Sequence, residues 1–204
     1  KRIGEGDTGL NTGGMGAVSP VPFADEKFCK AIQETIVKPT IDGLKKDNIP
    51  YVGFVFIGLI RVGDAPYVIE YNVRMGDPET QVVLPRIKND MAEMLHATAI
   101  GKLDQVELMI EDQSATTVVA VSGGYPEDYQ KGKIIKGLPS SSNSTVFQAG
   151  TTHQDGEILT NGGRVLAVTS LGDNHKNALL KSYQLLNEIS FEGMYFRKDI
   201  GFDL

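Results

Sequence analysis

Tryptophan is absent from this sequence of 204 residues, and Cys29 is its one cysteine. A lone cysteine excludes an internal disulfide framework and a cysteine-based metal site, so Cys29 is interpreted as a small packed hydrophobe. Positive charge is also scarce, because 20 Lys and Arg stand against 26 Asp and Glu and leave a formal net charge of −6. This balance argues against a nucleic-acid or anionic-membrane surface, so we expect neither among the partners.

Long apolar runs and a signal peptide are missing as well, which makes the cytoplasm the expected location. The sequence starts KRIGEGDTG, without Met, and we therefore expect a fragment that begins inside a structural element. Its 41% hydrophobic and 23% charged residues are ordinary for a globular protein. The 23 glycines indicate many turns and close backbone approaches rather than a helical bundle.

The most informative stretch is residues 67–81, YVIEYNVRMGDPETQ. Its alternation predicts a strand with Val68, Glu70, Asn72 and Arg74 on one face. Side chains two residues apart on a strand lie about 6.5 Å from one another, so Glu70 and Asn72 can contact one hard cation or its phosphate ligands, with Arg74 one step beyond. The alternative is structural: Glu70 and Arg74 form an ion pair on one face, and Asn72 is a hydrogen bonder near the following turn.

A glycine-rich stretch, GEGDTGLNTGGMG, occupies residues 4–16. Its backbone amides can approach a ligand and form an anion-binding concavity, although it matches neither a P-loop nor a dinucleotide fingerprint. An ordinary surface loop is the alternative. Further along, Tyr51 to Val62 predicts a buried strand, which a hairpin at Gly63-Asp64 connects to the strand with Glu70.

Helix caps and turn signals predict the remaining elements. Asp25 and Asp90 are predicted N-caps, Pro39 is expected to kink or end the first helix, and Gly101 is expected to end the second. After a boundary between Leu103 and Glu111, the sequence predicts a β-rich unit. Its predicted elements are strands 115–122, 146–152, 157–160 and 164–171, a hairpin at Asp155-Gly156, a helix capped by Asp173 or Asn174 and running to about Glu188, and a last strand 194–197.

Several of these pieces together resemble the glycinamide ribonucleotide synthetase family, the phosphoribosylamine–glycine ligases of the ATP-grasp superfamily. The matching pieces are KRIGEGDTGLNTGGMGAVSP, VIEYNVRMGDPETQ, SGGYP with KGKIIKGL, FQAGTT with DGEILTNGGRVLAVTSLGD, and ISFEGMYFRKDIG. The resemblance covers nearly the whole chain. Leu10 and Met75 depart from the family's usual residues, and neither replaces a polar contact group.

The resemblance implies an α+β fold in two parts. Residues 1–103 are expected to be the distal part of an ATP-grasp module, an antiparallel sheet with helices, and residues 104–204 a small β-rich carboxy-terminal domain. It also implies that the family's amino-terminal domain and the first part of the ATP-grasp module lie upstream of Lys1. We therefore expect the chain to be inactive alone, and the full-length enzyme to be a monomer.

The resemblance further implies the reaction and the residues that carry it. ATP, with Mg²⁺ or Mn²⁺, is expected to phosphorylate glycine to an acyl phosphate, which 5-phosphoribosylamine then attacks. Glu70 and Asn72 match the family's metal pair, Arg74 is the catalytic candidate, and Leu59 or Ile60 is expected at the adenine. The expected substrate contacts are Asp7, Asn11, Thr12, Gly13, Gly14, Arg74, Asp77 and Glu79. Asp77 and Glu79 can equally stabilise the turn.

Two other functions are compatible with parts of this pattern. A different ATP-grasp ligase, such as a carboxylase acting on biotin or on an aminoimidazole ribonucleotide, would share the E-x-N-x-R strand, but RMGDPETQ and GGRVLAVT favour the glycinamide enzyme. A non-catalytic binding domain that retains the fold is the second. The intact Glu70, Asn72 and Arg74 argue against such degeneration.

Overall fold

The computed structural model describes residues 1–140 and 142–204 as a mixture of helices and antiparallel strands, as predicted. The helices are α1 Glu26–Ile32, α2 Lys38–Lys46, α3 Thr80–Val83, α4 Met91–Ala99 and α5 His175–Leu186. The strands are β1 Arg2–Gly4, β2 Thr8–Asn11, β3 Gly16–Ser19, β4 Phe56–Val62, β5 Ala65–Asn72, β6 Ser114–Val121, β7 Thr145–Gln148, β8 Thr151–Gln154, β9 Glu157–Thr160 and β10 Arg164–Gly172.

The chain packs as two compact units, each discontinuous in sequence. Unit 1 contains residues 1–19, 77–87 and 110–203, and unit 2 contains residues 20–76 and 88–109 with Leu204. The first unit is discontinuous because β3, near the start of the chain, pairs with β6 from its second half; the division into segments 1–103 and 104–204 stays a prediction. Such long-range pairing leaves no local signal in the sequence.

Unit 1 is built on a four-stranded antiparallel sheet in the order β3-β6-β10-β7. The central strands β6 and β10 read as nearly continuous apolar runs, because both of their faces are covered. Val118, Leu166 and Val168 pack in a core with Leu186 of α5, while Met15 belongs to a second cluster. The predicted strands 115–122 and 164–171 and the Asn174 cap, which accepts from the Asn177 N–H, are confirmed.

Two predictions for unit 1 are wrong in detail. The single strand expected from Val146 to Thr152 is broken, because Ala149 and Gly150 turn to donate hydrogen bonds to Val165 and Arg164 of β10. The last strand expected over residues 194–197 is reduced to one bridge, between Val121 and Tyr195. The hairpin at Asp155-Gly156 is confirmed, since β8 and β9 pair across it with both residues at positive φ.

Unit 2 consists of an interrupted helix, the β4–β5 hairpin and α4. Asp25 caps α1 by accepting from the Phe28 N–H, and Asp90 caps α4 by accepting from Ala92 and Glu93, both as predicted. A π-helical stretch, Gln33–Val37, separates α1 from α2 just before Pro39. Proline cannot donate the backbone hydrogen bond that would continue a regular helix, which accounts for the irregularity there.

The predicted buried strand from Tyr51 to Val62 is the main correction in unit 2. Strand β4 begins only at Phe56, and Val52 is 70% exposed. Among the described residues of unit 2, the buried hydrophobic side chains are Phe28, Ile36 and Ala97, so this unit has little core of its own. An apolar run predicts burial only when other elements cover it, and residues 51–55 are all exposed while residues 56–59 are only partly buried.

No helix within the described ranges combines the length and the apolar character that crossing a membrane requires.

Acid should destabilise unit 1 through Asp199. The Arg197 guanidinium donates two hydrogen bonds to this carboxylate, at 2.7 and 2.8 Å, and holds its pKa below the ordinary value. A carboxyl with a lowered folded-state pKa contributes stability above its unfolded pKa of about 4, and this contribution is lost as the pH falls through the folded value. Thermal unfolding between about pH 2 and 7 should therefore show a weaker acid dependence in Asp199→Asn than in the wild type or in Asp203→Asn, which alters an exposed carboxylate. Parallel curves for all three would contradict this assignment.

Candidate functional site

The strand pair that carries Glu70 contains a β-bulge. Gly58 of β4 pairs with Glu70 of β5, yet the next residue, Leu59, pairs with Val68. Ile69 is therefore an extra residue on β5. A bulge reverses the alternation of side chains on the strand that contains it, so residues before and after Ile69 follow different patterns.

The bulge changes which residues share a face with the candidate metal ligands. Glu70 and Asn72 lie opposite Gly58 and Phe56 and share one face of the hairpin with Ile60, since β4 itself alternates regularly. Val68 pairs with Leu59 and lies on the other face, so its predicted place beside Glu70 is wrong. Of the two adenine candidates, the register places Ile60 on the face of Glu70; its contact with a ligand stays a prediction.

Glu70 lies against a residue that has no side chain. A Cβ added to Gly58 would be 2.9 Å from Glu70 Cγ, so glycine leaves room for the acidic side chain. Within the described part of the chain, neither the Glu70 carboxylate nor the Asn72 amide has a hydrogen-bond or ion-pair partner. Both side chains therefore have oxygen atoms available for a ligand.

Arg74 lies beyond the strand rather than on it. Strand β5 ends at Asn72, and Arg74 follows in a bend, exposed, where its Nη1 donates 2.9 Å to the carbonyl oxygen of Met75. The alternative ion pair with Glu70 does not occur among the described residues. The strand ends early because residues after Asn72 have no partner strand; β4 begins at Phe56, opposite Asn72.

The glycine-rich stretch forms a hairpin in unit 1 and is more ordered than a surface loop. Strands β1 and β2 pair around a 3₁₀ turn that contains Asp7. The Asp7 carboxylate accepts a 2.7 Å hydrogen bond from Arg197, whose side chain is only 6% exposed. Asp7 is therefore held by the protein in this structure, while Asn11, at the end of β2, has no side-chain partner among the described residues.

Residues 12–14, which follow β2, each form at least one hydrogen bond with the rest of the protein or with one another. The Thr12 hydroxyl donates to the carbonyl oxygen of Lys1 and accepts from the Gly14 N–H. The Gly13 N–H donates 3.1 Å to the Tyr125 hydroxyl. Gly14 has a φ of +124°, and a Cβ there would lie 2.5 Å from Pro78, so only glycine fits. The predicted contacts Thr12, Gly13 and Gly14 thus lie in one fixed backbone segment.

The turn that carries Asp77 and Glu79 also belongs to unit 1. Asp77 Oδ1 accepts from Gln81 at 3.2 Å and lies 3.3 Å from Arg164 Nη1, and Glu79 lies 3.3 Å from Lys1 Nζ. Asp77 therefore has the turn-stabilising contact that was the structural alternative, whereas Glu79 pairs with Lys1 from outside the turn. Each remains partly exposed, at 52% and 27%, and can also face a ligand.

Sequence reasoning missed the partners of these residues. Arg164 and Arg197 contact the glycine-rich segment from positions 151 and 190 residues away, so no local pattern could reveal them. The one available signal was an arginine inside an apolar run, as in GGRVLAV and MYFRKDI. A charged residue in such a run needs a buried partner.

The donor set at Glu70 and Asn72 fits a hard divalent cation. A carboxylate and an amide carbonyl are oxygen ligands of the kind that Mg²⁺ and Mn²⁺ bind, and Mg²⁺ commonly takes only one or two protein ligands and completes its shell with phosphates and water. In the described ranges, no three or more His, Cys, Asp or Glu side chains gather into a cluster able to hold a metal alone. The pair therefore suits a metal that arrives with a phosphate ligand.

Two family models match the chain. Residues 1–80 match the phosphoribosylglycinamide synthetase ATP-grasp (A) domain, and residues 115–203 match the phosphoribosylglycinamide synthetase C domain.

Curated relatives match along nearly all of the chain. A phosphoribosylamine–glycine ligase of Caldanaerobacter subterraneus is 46% identical over 200 residues, which are 98% of this chain and 48% of that protein. The bifunctional purine biosynthetic protein PUR2,5 of Pichia angusta is 48% identical over 203 residues, covering 98% of this chain and 26% of that protein. The chain thus spans at most about half the length of these relatives.

A crystal structure of phosphoribosylamine–glycine ligase from Thermotoga maritima has the same fold. It superposes with a TM-score of 0.83 at 36% identity and covers 98% of this chain and 49% of that one. The predicted combination of an ATP-grasp portion and a carboxy-terminal portion is therefore confirmed.

Proposed function

Because this chain belongs to the phosphoribosylglycinamide synthetase family, we propose that it forms the carboxy-terminal half of a phosphoribosylamine–glycine ligase. The observation that carries this proposal is the match of both family domains, ATP-grasp and C, in order along one chain. The relatives that bear this activity in their names are about twice as long. We therefore assign the activity to the longer protein and expect the 204 residues alone to be inactive.

The reaction begins by activating a carboxylate. The glycine carboxylate oxygen attacks the γ-phosphorus of ATP, giving glycyl phosphate and ADP. The amine of 5-phosphoribosylamine then attacks the glycyl carbonyl carbon, the bond from carbon to the phosphate oxygen breaks, and a proton leaves the nitrogen. The products are glycinamide ribonucleotide, ADP and phosphate, as de novo purine biosynthesis requires. Carboxylates are poor acyl donors, which is why an ATP is consumed.

Glu70 and Asn72 would hold the divalent metal, Mg²⁺ or Mn²⁺. When bound, the metal screens the negative charge of the triphosphate from the glycine carboxylate. Arg74 is the proposed catalytic residue: its exposed guanidinium has donors beyond the one that Met75 accepts, and these can bind oxygens of the transferring phosphoryl group. Ile60, on the face of Glu70, or Leu59 would contact adenine.

The acceptor contacts are assigned to unit 1. Asn11 has no side-chain hydrogen-bond partner among the described residues, and Gly13, which is exposed, follows it closely in the chain, whereas Gly14 is buried. Asp7, Thr12, Asp77 and Glu79 complete the proposed set, with Asp77 and Glu79 partly exposed.

The proposal includes small-molecule partners only: glycine, 5-phosphoribosylamine and ATP. We propose a monomeric cytoplasmic enzyme. The net charge of −6 supports the further proposal that it binds neither nucleic acid nor an anionic membrane.

Gly58→Ala in the full-length ligase should weaken metal binding. The added Cβ would lie 2.9 Å from Glu70 Cγ, close to the backbone end of that side chain, so the carboxylate must move. We expect the half-saturating Mg²⁺ concentration to rise roughly fivefold, equivalent to about 1 kcal/mol. Gly43→Ala is the matched control, because an added Cβ there meets nothing within 4 Å. Equal Mg²⁺ requirements in both variants would contradict the placement of Glu70.

Substrate dependence of ADP formation tests the proposed function. The full-length protein should sustain ADP release over many turnovers only when glycine and 5-phosphoribosylamine are both present with Mg–ATP, and the 204-residue chain should release none. Bicarbonate with biotin, or bicarbonate with an aminoimidazole ribonucleotide, should not replace them. ADP release with either replacement would indicate a carboxylase, and no release by the full-length protein with any set would indicate a non-catalytic domain.

A further inference from the structure

We propose that Arg164 is a positioning residue for this ligase, which fixes the backbone that carries the acceptor contacts. The inference rests on the proposed function and adds a residue that acts through Gly13 and Asp77 rather than on the substrate.

One nitrogen of Arg164 joins two distant segments of unit 1. Its Nη1 donates 3.1 Å to the carbonyl oxygen of Gly13 and 2.9 Å to that of Asp77, and lies 3.3 Å from Asp77 Oδ1. The side chain is 23% exposed, so these interactions are only partly screened by water. Hydrogen bonds from a charged donor are roughly twice as strong as neutral ones. Arg164 therefore restrains both the glycine-rich segment and the turn.

The fit around Arg164 leaves little room for another arrangement. A Cβ on Gly13 would be 3.0 Å from Arg164 Cζ, and a Cβ on Gly163 would be 2.3 Å from the Tyr125 ring. The Tyr125 hydroxyl in turn accepts the Gly13 N–H at 3.1 Å. Gly13 thus has its carbonyl bound by one side chain and its N–H by another. Such two-sided support is what holds a binding segment in a productive geometry.

The cluster acts on only one group of the proposed contacts. Arg164, Tyr125, Gly13 and Asp77 all belong to unit 1, whereas Glu70 and its strand belong to unit 2. Removing the guanidinium should therefore impair use of the acceptor while leaving ATP and metal binding nearly unchanged. A residue that merely stabilises the fold would produce no such difference between substrates.

The test compares Michaelis constants in the full-length ligase. Arg164→Met should raise the KM for 5-phosphoribosylamine at least about tenfold and leave the KM for ATP within about twofold of the wild-type value. The first change is expected to be large because a small misplacement of binding groups can lower catalytic efficiency up to about 100-fold. Arg164→Lys should recover part of the loss, because an ammonium can still bind Asp77. Tyr125→Phe should raise the same KM by a smaller factor.

Arg86→Met is the matched control. Arg86 also belongs to unit 1 and donates three hydrogen bonds, to Ser19, Glu111 and Gln113, none of them in the glycine-rich segment. The Arg86→Met variant should have a lower melting temperature than the wild type and an unchanged KM for 5-phosphoribosylamine.

Three results would overturn the inference: an unchanged acceptor KM in Arg164→Met, equal rises in the KM values of all three substrates, or the same acceptor defect in Arg86→Met. If Arg164→Met does not fold, Tyr125→Phe decides, and a wild-type acceptor KM in that variant counts against the inference. An inactive wild-type protein would instead refute the proposed function itself, and with it the substrate assigned here.

Discussion

Replacing Glu70 by Gln in the full-length ligase should raise the Mg²⁺ concentration needed for half-maximal activity by at least about tenfold, and lower the maximal rate. The substitution keeps the shape of the side chain and removes its charge. Mutating a residue that only orients a metal ligand typically lowers metal affinity or activity roughly 10- to 100-fold. Mutating a residue that binds the metal directly should lower metal affinity by at least roughly as much. The structure supports this expectation because Glu70 has no ion-pair partner among the described residues and lies against Gly58, which has no side chain.

A titration of initial rate against Mg²⁺ at fixed ATP measures the effect. Glu34→Gln is the matched control, since Glu34 is also an exposed acid of unit 2, with its side chain 64% exposed and Lys30 as its ion-pair partner. The control should behave like the wild type. An unchanged Mg²⁺ requirement in Glu70→Gln would remove Glu70 from the metal site and favour the purely structural interpretation of the strand.

Replacing Arg197 by Met should lower the free energy of unfolding by about 3 kcal/mol, more than any other substitution named above. Arg197 is nearly buried and binds Asp7, Asp199 and the carbonyl oxygen of Arg2, with its guanidinium 5.5 Å from the Phe202 ring. Removing one partner of a buried ion pair costs roughly 3–5 kcal/mol, and we place this case at the lower end because Asp7 is 55% exposed and can be solvated.

Thermal unfolding of the full-length protein measures this loss. For a domain of about 150–250 residues, a loss of 3 kcal/mol corresponds to a fall in melting temperature of roughly 6–12 °C. Lys181→Met serves as the control, because Lys181 makes a single hydrogen bond, to Leu171, from an exposed position in the same unit. Its variant should melt within about 2 °C of the wild type. A similarly small shift in Arg197→Met would show that water, and not Arg197, satisfies Asp7 and Asp199.

The sequence predicted those elements whose signals are local. Asp25, Asp90 and Asn174 cap helices because a short polar side chain can accept from the free N–H groups of the first turn. Asp155-Gly156 forms a hairpin because both residues tolerate positive φ. The β6 and β10 runs were also recognisable, since apolar and β-branched residues together dominate them.

Features that depend on distant partners could not be predicted in this way. The bulge at Ile69 reverses the alternation of side chains, but it is set by the pairing with β4 and has no sequence signal of its own, so Val68 was placed on the wrong face. The apolar run from Tyr51 to Phe54 resembles a strand, but no described strand pairs with it. Likewise, the contact between Arg197 and Asp7 joins residues 190 positions apart.

The candidate site was predicted as a set of residues but not as a geometry. Glu70 and Asn72 do lie on one face of β5, because no bulge separates them. Arg74 was expected to continue that face, yet it lies in a bend after the strand. Their roles in catalysis remain predictions, which the variants above are designed to test.

The transfer of ¹⁸O from glycine to phosphate tests most directly the claim that this chain belongs to a ligase that activates glycine by phosphorylation. With both carboxylate oxygens of glycine labelled, the full-length enzyme should release inorganic phosphate that carries one ¹⁸O per turnover, while the other label stays in the amide product. Phosphate without ¹⁸O would mean that the glycine carboxylate never bonded to phosphorus, and would contradict the account.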